Sequence, residues 1–76
     1  MKTQTIANEF NKLIKEYRDE PLHFIDFSYA IHDKMLELRI NHHAEIMEAI
    51  GTGNELDKAH EASNALSYEI ISNFTK

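Results

Sequence analysis

An all-α fold is predicted for this chain from three features of its sequence. Apolar residues recur at steps of three and four along most of its length, which places them on single helix faces. The aromatic segment 22–29 is compatible with a strand, but no second strand exists to pair with it. Pro21 and the pair Gly51 and Gly53 mark only two boundaries. We therefore predict one domain over 1–76, with a short N-terminal helix and a long antiparallel helical hairpin in a three-helix arrangement.

The first predicted helix covers about 5–19. Its apolar stripe consists of Ile6, Phe10, Leu13, Ile14 and Tyr17. The hydroxyl of Thr3 or Thr5 can cap its start by accepting a hydrogen bond from an unpaired backbone N–H. Pro21 ends it, because the proline ring disfavours a helical conformation at the preceding residue.

The second predicted helix covers about 22–50 and has two apolar stripes. The first stripe, spaced like a coiled-coil seam, is Phe24, Ser28, Ile31, Met35, Leu38, His42, Glu45 and Ala49. The second stripe is Leu36, Ile40, His43, Met47 and Ile50. A helix with two apolar sides needs two neighbours, or one neighbour and a partner chain. A break near 41–43 is compatible with the sequence, since Asn and His are indifferent helix formers.

The third predicted helix covers about 53–74 and follows a glycine turn. Gly51 suits the left-handed conformation that often closes a helix. The segment from Thr52 to Glu55 fits a capping box, in which the Thr and Glu side chains each satisfy a backbone N–H. The buried face of this helix is expected to contain Leu56, Ala59, Ser63, Leu66, Ile70 and Phe74.

Size and charge narrow the classes of function. A chain of 76 residues without cysteine has no disulfide to reinforce a small core, so oligomerisation or docking on a partner is expected. The net charge is −5, and residues 40–75 carry six acids against Lys58 alone. Nucleic-acid binding is disfavoured because a duplex-facing surface must neutralise phosphates. No segment approaches the length of a membrane span and no signal peptide is visible, so we expect a cytoplasmic protein.

Histidines offer the only candidate metal site. The weak candidates are His42, His43, Glu45 and His60, since folding the hairpin at the glycine turn would bring His43 towards His60. Two or three ligands fall short of the four that structural zinc usually takes. No nucleophile has an adjacent base, and Gly51-Thr52-Gly53 lacks the lysine of a phosphate-binding loop. We therefore predict no cofactor, no metal and no enzymatic activity.

The middle of the chain holds the largest apolar mass and is the predicted partner-binding surface. Its proposed residues are Phe24, Phe27, Ile31, Met35, Leu38 and Met47. One short helix is not expected to cover all of them, and exposed aromatic residues dominate interface energetics. The apolar residues left uncovered predict a protein partner, a homodimer, or both.

The function predicted from these features is a small protein-interaction module that regulates or inhibits a partner. The likeness to phage and plasmid regulators, such as lysis inhibitors and anti-transcription factors, is one of size only. A helix-turn-helix DNA-binding regulator is the first alternative, compatible with three helices and opposed by the charge. A metal-binding helical bundle is the second alternative.

Overall fold

The computed structural model describes residues 2–19 and 25–74, with side chains described for 2–19 and 26–73. These residues form four helices, α1 (Lys2–Asp19), α2 (Ile25–Asn41), α3 (His43–Ala49) and α4 (Glu55–Phe74), and no strand. The predicted all-α class is confirmed. Pro21 and the predicted start of the second helix at 22 lie outside the described residues.

Helix α1 begins at Lys2, ahead of the predicted start at Thr5, and ends at Asp19. Its buried side chains are Ile6, Ala7, Phe10 and Leu13. Their spacing forms one stripe, which packs mainly against α4 and also against α2. The opposite side of α1 carries charged and amide residues and faces water.

Helices α2 and α3 are one helical segment with a bend at His42. The backbone N–H of His42 donates to the carbonyl of Leu38 and that of Ile46 donates to the carbonyl of His42, both at 3.0 Å. The hydrogen bonds of a continuous helix therefore cross the bend. The break allowed by the sequence near 41–43 occurs at this residue.

The turn between α3 and α4 differs from the predicted capping box. Helix α4 begins at Glu55, and the Asn54 side chain caps it by accepting a hydrogen bond from the backbone N–H of Asp57 at 2.9 Å. The Asp57 carboxylate in turn accepts from the backbone N–H of Gly53 at 2.9 Å. The Thr52 hydroxyl accepts from the backbone N–H of Asn54 at 3.2 Å, ahead of the helix, and donates to the carbonyl of Ala49 at 2.6 Å, which helps to close α3. Gly51 has φ +83°, a conformation that favours glycine.

The core has two clusters that Leu38 joins by packing against both. The first cluster is Ile6, Ala7, Phe10, Ile46, Ala49, Leu56 and Ala59. The second is Leu13, Ile31, Met35, Leu66 and Ile70. Both clusters lie between α1, the inner side of α2 and α3, and α4, so the outer side of α2 and α3 makes no part of the core.

His60 makes the stability of the fold depend on pH. Its ring meets the Phe10 ring edge to face with centroids 6.2 Å apart, and burial, with help from Arg39, lowers its pKa from the ordinary value of 6.5. Below that value the unfolded chain takes up a proton that the folded chain resists. The contribution of His60 to stability should therefore be complete above pH 6.5 and should decline as the pH falls towards its lower folded pKa.

Urea unfolding from pH 7.5 to about 5 measures this dependence directly. We expect the free energy of unfolding to decline less with falling pH in His60→Gln than in the wild type. His43→Gln, which changes an exposed histidine, is the control and should show the wild-type decline. A decline that persists unchanged in His60→Gln would show that other groups cause it.

Candidate functional site

The second apolar stripe of the sequence lies on the outer side of the bent helix, in water. We name Leu36, Ile40, His43, Met47 and Ile50 the α2–α3 seam. Ile40 is 75% exposed, Met47 55% and Leu36 40%. The first stripe already supplies the core, so α1 and α4 cover only the inner side of this helix. The seam is an apolar surface without a covering element among the described residues.

Helix α4 extends this surface on one side. Tyr68 is 76% exposed, and Ile71 is also largely exposed. With Leu36 they form the apolar wall of a pocket of about 340 Å³ between α2 and α4. The complete lining is His32, Leu36, Arg39, Asn64, Ser67, Tyr68 and Ile71. The pocket is therefore continuous with the N-terminal end of the α2–α3 seam.

Arg39 forms a polar network at this pocket. Its Nη2 donates to the hydroxyls of Ser63 at 2.9 Å and Ser67 at 3.3 Å. The Ser63 hydroxyl donates to the carbonyl of His60 at 2.8 Å, while that of Ser67 donates to the sulfur of Met35 at 3.7 Å. The network therefore connects α2 to α4 through hydrogen bonds beside the second core cluster.

Arg39 is a cation that has no carboxylate partner within residues 2–19 and 25–74. The ion pairs of the described residues are Lys2 with Glu45, Lys15 with Asp19, and Arg18 with Glu69. Burial lowers the pKa of Arg39, and its Nε, like Nδ1 of His32, is buried without a hydrogen-bond partner. The hydrogen bonds to two serines thus only partly offset the desolvation of the guanidinium.

Replacing Arg39 with methionine should accordingly change the stability little. The variant loses two charge-assisted hydrogen bonds but also removes a desolvated charge and keeps an unbranched apolar stem of similar length. We expect a difference in the free energy of unfolding below about 1 kcal/mol, measured with urea. Arg39→Ala also removes the stem and should lose more. A loss of several kcal/mol in the methionine variant would show that the charge itself stabilises the fold.

The predicted partner-binding residues are divided between the core and the surface. Ile31 and Met35 are buried, and Phe27 and Leu38 are half-buried against the core. Met47 is exposed, and Phe24 lies outside the described residues. Ile31 and Met35 cannot contact a partner in this conformation. The exposed apolar residues Leu36, Ile40 and Ile50 belong to the second stripe, whose spacing was the sequence signal for them.

The candidate metal ligands do not converge. The carboxylate of Glu45 accepts a hydrogen bond from Lys2 Nζ at 2.8 Å, which lowers the pKa of Glu45. His60 packs against Phe10, while His43 is exposed on the seam. Across 2–19 and 25–74, no group of three His, Asp or Glu side chains is arranged to hold a metal ion.

The helices in the described ranges are all too short or too polar to cross a membrane. No known family model, curated protein or solved structure matches this chain. Its function is therefore inferred from its own residues, and the α2–α3 seam is the feature that they offer.

Proposed function

We propose that this chain is a non-enzymatic protein-interaction module that binds a protein partner through the α2–α3 seam. The observation that carries the proposal is the exposure of four large apolar side chains along one helical row that His43 interrupts: Leu36, Ile40, Met47 and Ile50. Large exposed apolar patches on small proteins mark interaction surfaces or aggregation hazards. Regulation or inhibition of the partner is the activity that such a module would exert.

The position of the row supports the proposal. Its residues recur at steps of four and three, so they form a ridge along a helix, and an amphipathic helix of a partner can pack on such a ridge. Each large side chain of the row that becomes buried contributes about 1.5–3 kcal/mol before the entropy of association is subtracted. Tyr68 and Ile71 widen the surface on the side of α4.

The charge around the row opposes the DNA-binding alternative. Glu37 and Glu48 are exposed on the same helical segment, and Lys58 is the only basic residue of α4. A phosphate backbone placed on this side of the molecule would meet more negative than positive charge. The lack of a convergent ligand set among the described residues likewise gives the metal-binding alternative no support.

Site-specific photo-crosslinking in the cell of origin tests the proposal. A photoreactive amino acid at position 40 should give a discrete crosslinked product, because Ile40 is at the middle of the row. The same amino acid at the exposed Asn11 of α1 is the matched control and should give little product. Adding Met47→Asp to the position-40 variant should suppress the product. Equal labelling from both positions, or a product insensitive to Met47→Asp, would contradict a partner site at the seam.

A further inference from the structure

The pocket between α2 and α4 has a polar end, which is set by the direction of the two helices. Arg39 donates to the hydroxyl of Ser63, whereas Met35, one turn earlier on α2, accepts from Ser67, one turn later on α4. The two helices therefore run antiparallel along the pocket. Arg39 consequently lies at the end of the pocket that Asn64 lines from α4.

The rest of the lining is mainly apolar and leads away from Arg39. Leu36, Tyr68 and Ile71 form the wall, and His32 lies at the far end. His32 and Arg39 are two helical turns apart on α2, which corresponds to about 10 Å along the helix. The pocket is therefore a short channel with a cation at one end and apolar side chains along its length.

Arg39 brings an unused hydrogen-bond donor to the polar end. Its Nη2 donates to Ser63 and Ser67, so Nη1 has no hydrogen-bond partner within residues 2–19 and 25–74. Nη1, unlike Nε, is not enclosed by the protein and can donate to a ligand. The charge itself is expected to add little to the stability of the fold, because burial leaves the guanidinium short of partners. A partly buried cation of this kind is typical of a binding site.

We propose that this pocket binds a small monocarboxylate with an apolar body. The carboxylate accepts hydrogen bonds from Nη1 of Arg39, and the apolar body packs on the wall of Leu36, Tyr68 and Ile71. Such a site would be a second binding function, separate from the interaction role of the α2–α3 seam. Its ligand would supply the negative partner that the guanidinium lacks among the described residues.

The composition of the lining selects this class of ligand. Arg39 is the only Lys, Arg, Asp or Glu among the described residues that line the pocket. One guanidinium matches one carboxylate, whereas a phosphate monoester carries nearly two negative charges at neutral pH. The apolar wall favours a hydrocarbon body over a sugar or a second charged group. The volume of about 340 Å³ is near the lower end of the range of about 300–1,000 Å³ for small-molecule sites.

NMR titration of the isotope-labelled full chain with sodium octanoate tests the proposal. The titration is run at about 0.15 M salt, which screens the net charge of −5. We expect saturable shifts of the Arg39 Nε–H and Asn64 side-chain amide signals, with a dissociation constant below about 1 mM. Octanamide has the same apolar body without the charge and should bind at least about tenfold more weakly. Absence of saturable shifts, or equal binding of octanamide, would overturn the proposal.

Arg39→Met is the matching change in the protein. It removes the cation but keeps an apolar stem, and octanoate should bind this variant at least about tenfold more weakly. Lys34→Met, the control, removes the same charge from an exposed position of α2 outside the pocket and should keep the wild-type affinity. Unchanged affinity in Arg39→Met would overturn the proposal. If the spectrum shows that Arg39→Met is unfolded, the comparison of octanoate with octanamide decides by itself, because it needs no substitution.

A peptide that ends in leucine offers the same chemistry at the end of a protein chain. A tetrapeptide of this kind and its C-terminal amide are therefore the second pair of probes. Tighter binding of the peptide acid than of octanoate would assign the site to a protein C-terminus, and the reverse would assign it to a free acid. Both results support a monocarboxylate site, provided that each amide binds more weakly than its acid.

Met47→Asp separates this inference from the interaction role of the seam. Met47 does not line the pocket, so this variant should bind octanoate as the wild type does while losing the crosslink from position 40. Loss of octanoate binding in Met47→Asp would place the ligand on the seam and overturn the pocket site. Absence of the crosslink from the wild-type chain would contradict the partner site alone, because octanoate binding does not depend on it.

Discussion

Phe10→Ala is expected to lower the free energy of unfolding by about 3–5 kcal/mol, the largest effect of a single truncation among the residues whose side chains the structure describes. The Phe10 side chain is fully buried in the first core cluster, where it contacts the ring of His60. A domain of 76 residues has a total stability of about 4–11 kcal/mol. The variant should therefore melt at a markedly lower temperature than the wild type, which thermal melting by circular dichroism measures.

Lys12→Ala is the matched control for this truncation. Lys12 is exposed on the same helix, and alanine has a high helix propensity, so its melting temperature should stay near that of the wild type. If Phe10→Ala had the same melting temperature as the Lys12→Ala control, α1 would not pack against α4 as described.

The same truncation, leucine to alanine, should lower the stability strongly at Leu66 in the core and only slightly at Leu36 on the seam. Leu66 is fully buried in the second cluster, and its truncation should lower the free energy of unfolding by about 2–5 kcal/mol. Leu36 is 40% exposed on the seam, and its truncation should remove less than about 1 kcal/mol. Both are measured by urea unfolding in the Met47→Asp background, in which a charge on the seam suppresses association through it.

The same two variants should reverse their order in the crosslinking assay from position 40, without the Met47→Asp change. Leu36→Ala should reduce the crosslinked product, whereas any folded fraction of Leu66→Ala should still give it. Equal losses of stability from the two truncations would contradict the assignment of Leu36 to a surface outside the core.

Local features of the sequence predicted the secondary structure and a second apolar stripe on the middle helix. The spacing of Ile6, Phe10 and Leu13 indicated α1, and its predicted end at Asp19 agrees with the structure. The glycine turn at 51–53 and the break near His42 also follow from local backbone preferences. The second apolar stripe could be recognised from the sequence, because helical spacing depends only on residues a few positions apart.

Only the tertiary structure decided which stripe is covered. Both stripes have helical spacing, and burial depends on where α1 and α4 pack, which involves residues distant in sequence. Ile31 and Met35 consequently became core residues, while Ile40 and Met47 stayed in water. The polar network of Arg39 with Ser63 and Ser67 was likewise not predicted, because its members come from two helices that meet only in the folded chain. Sequence periodicity determines the faces of a helix, and the packing of its neighbours determines which face remains free to bind.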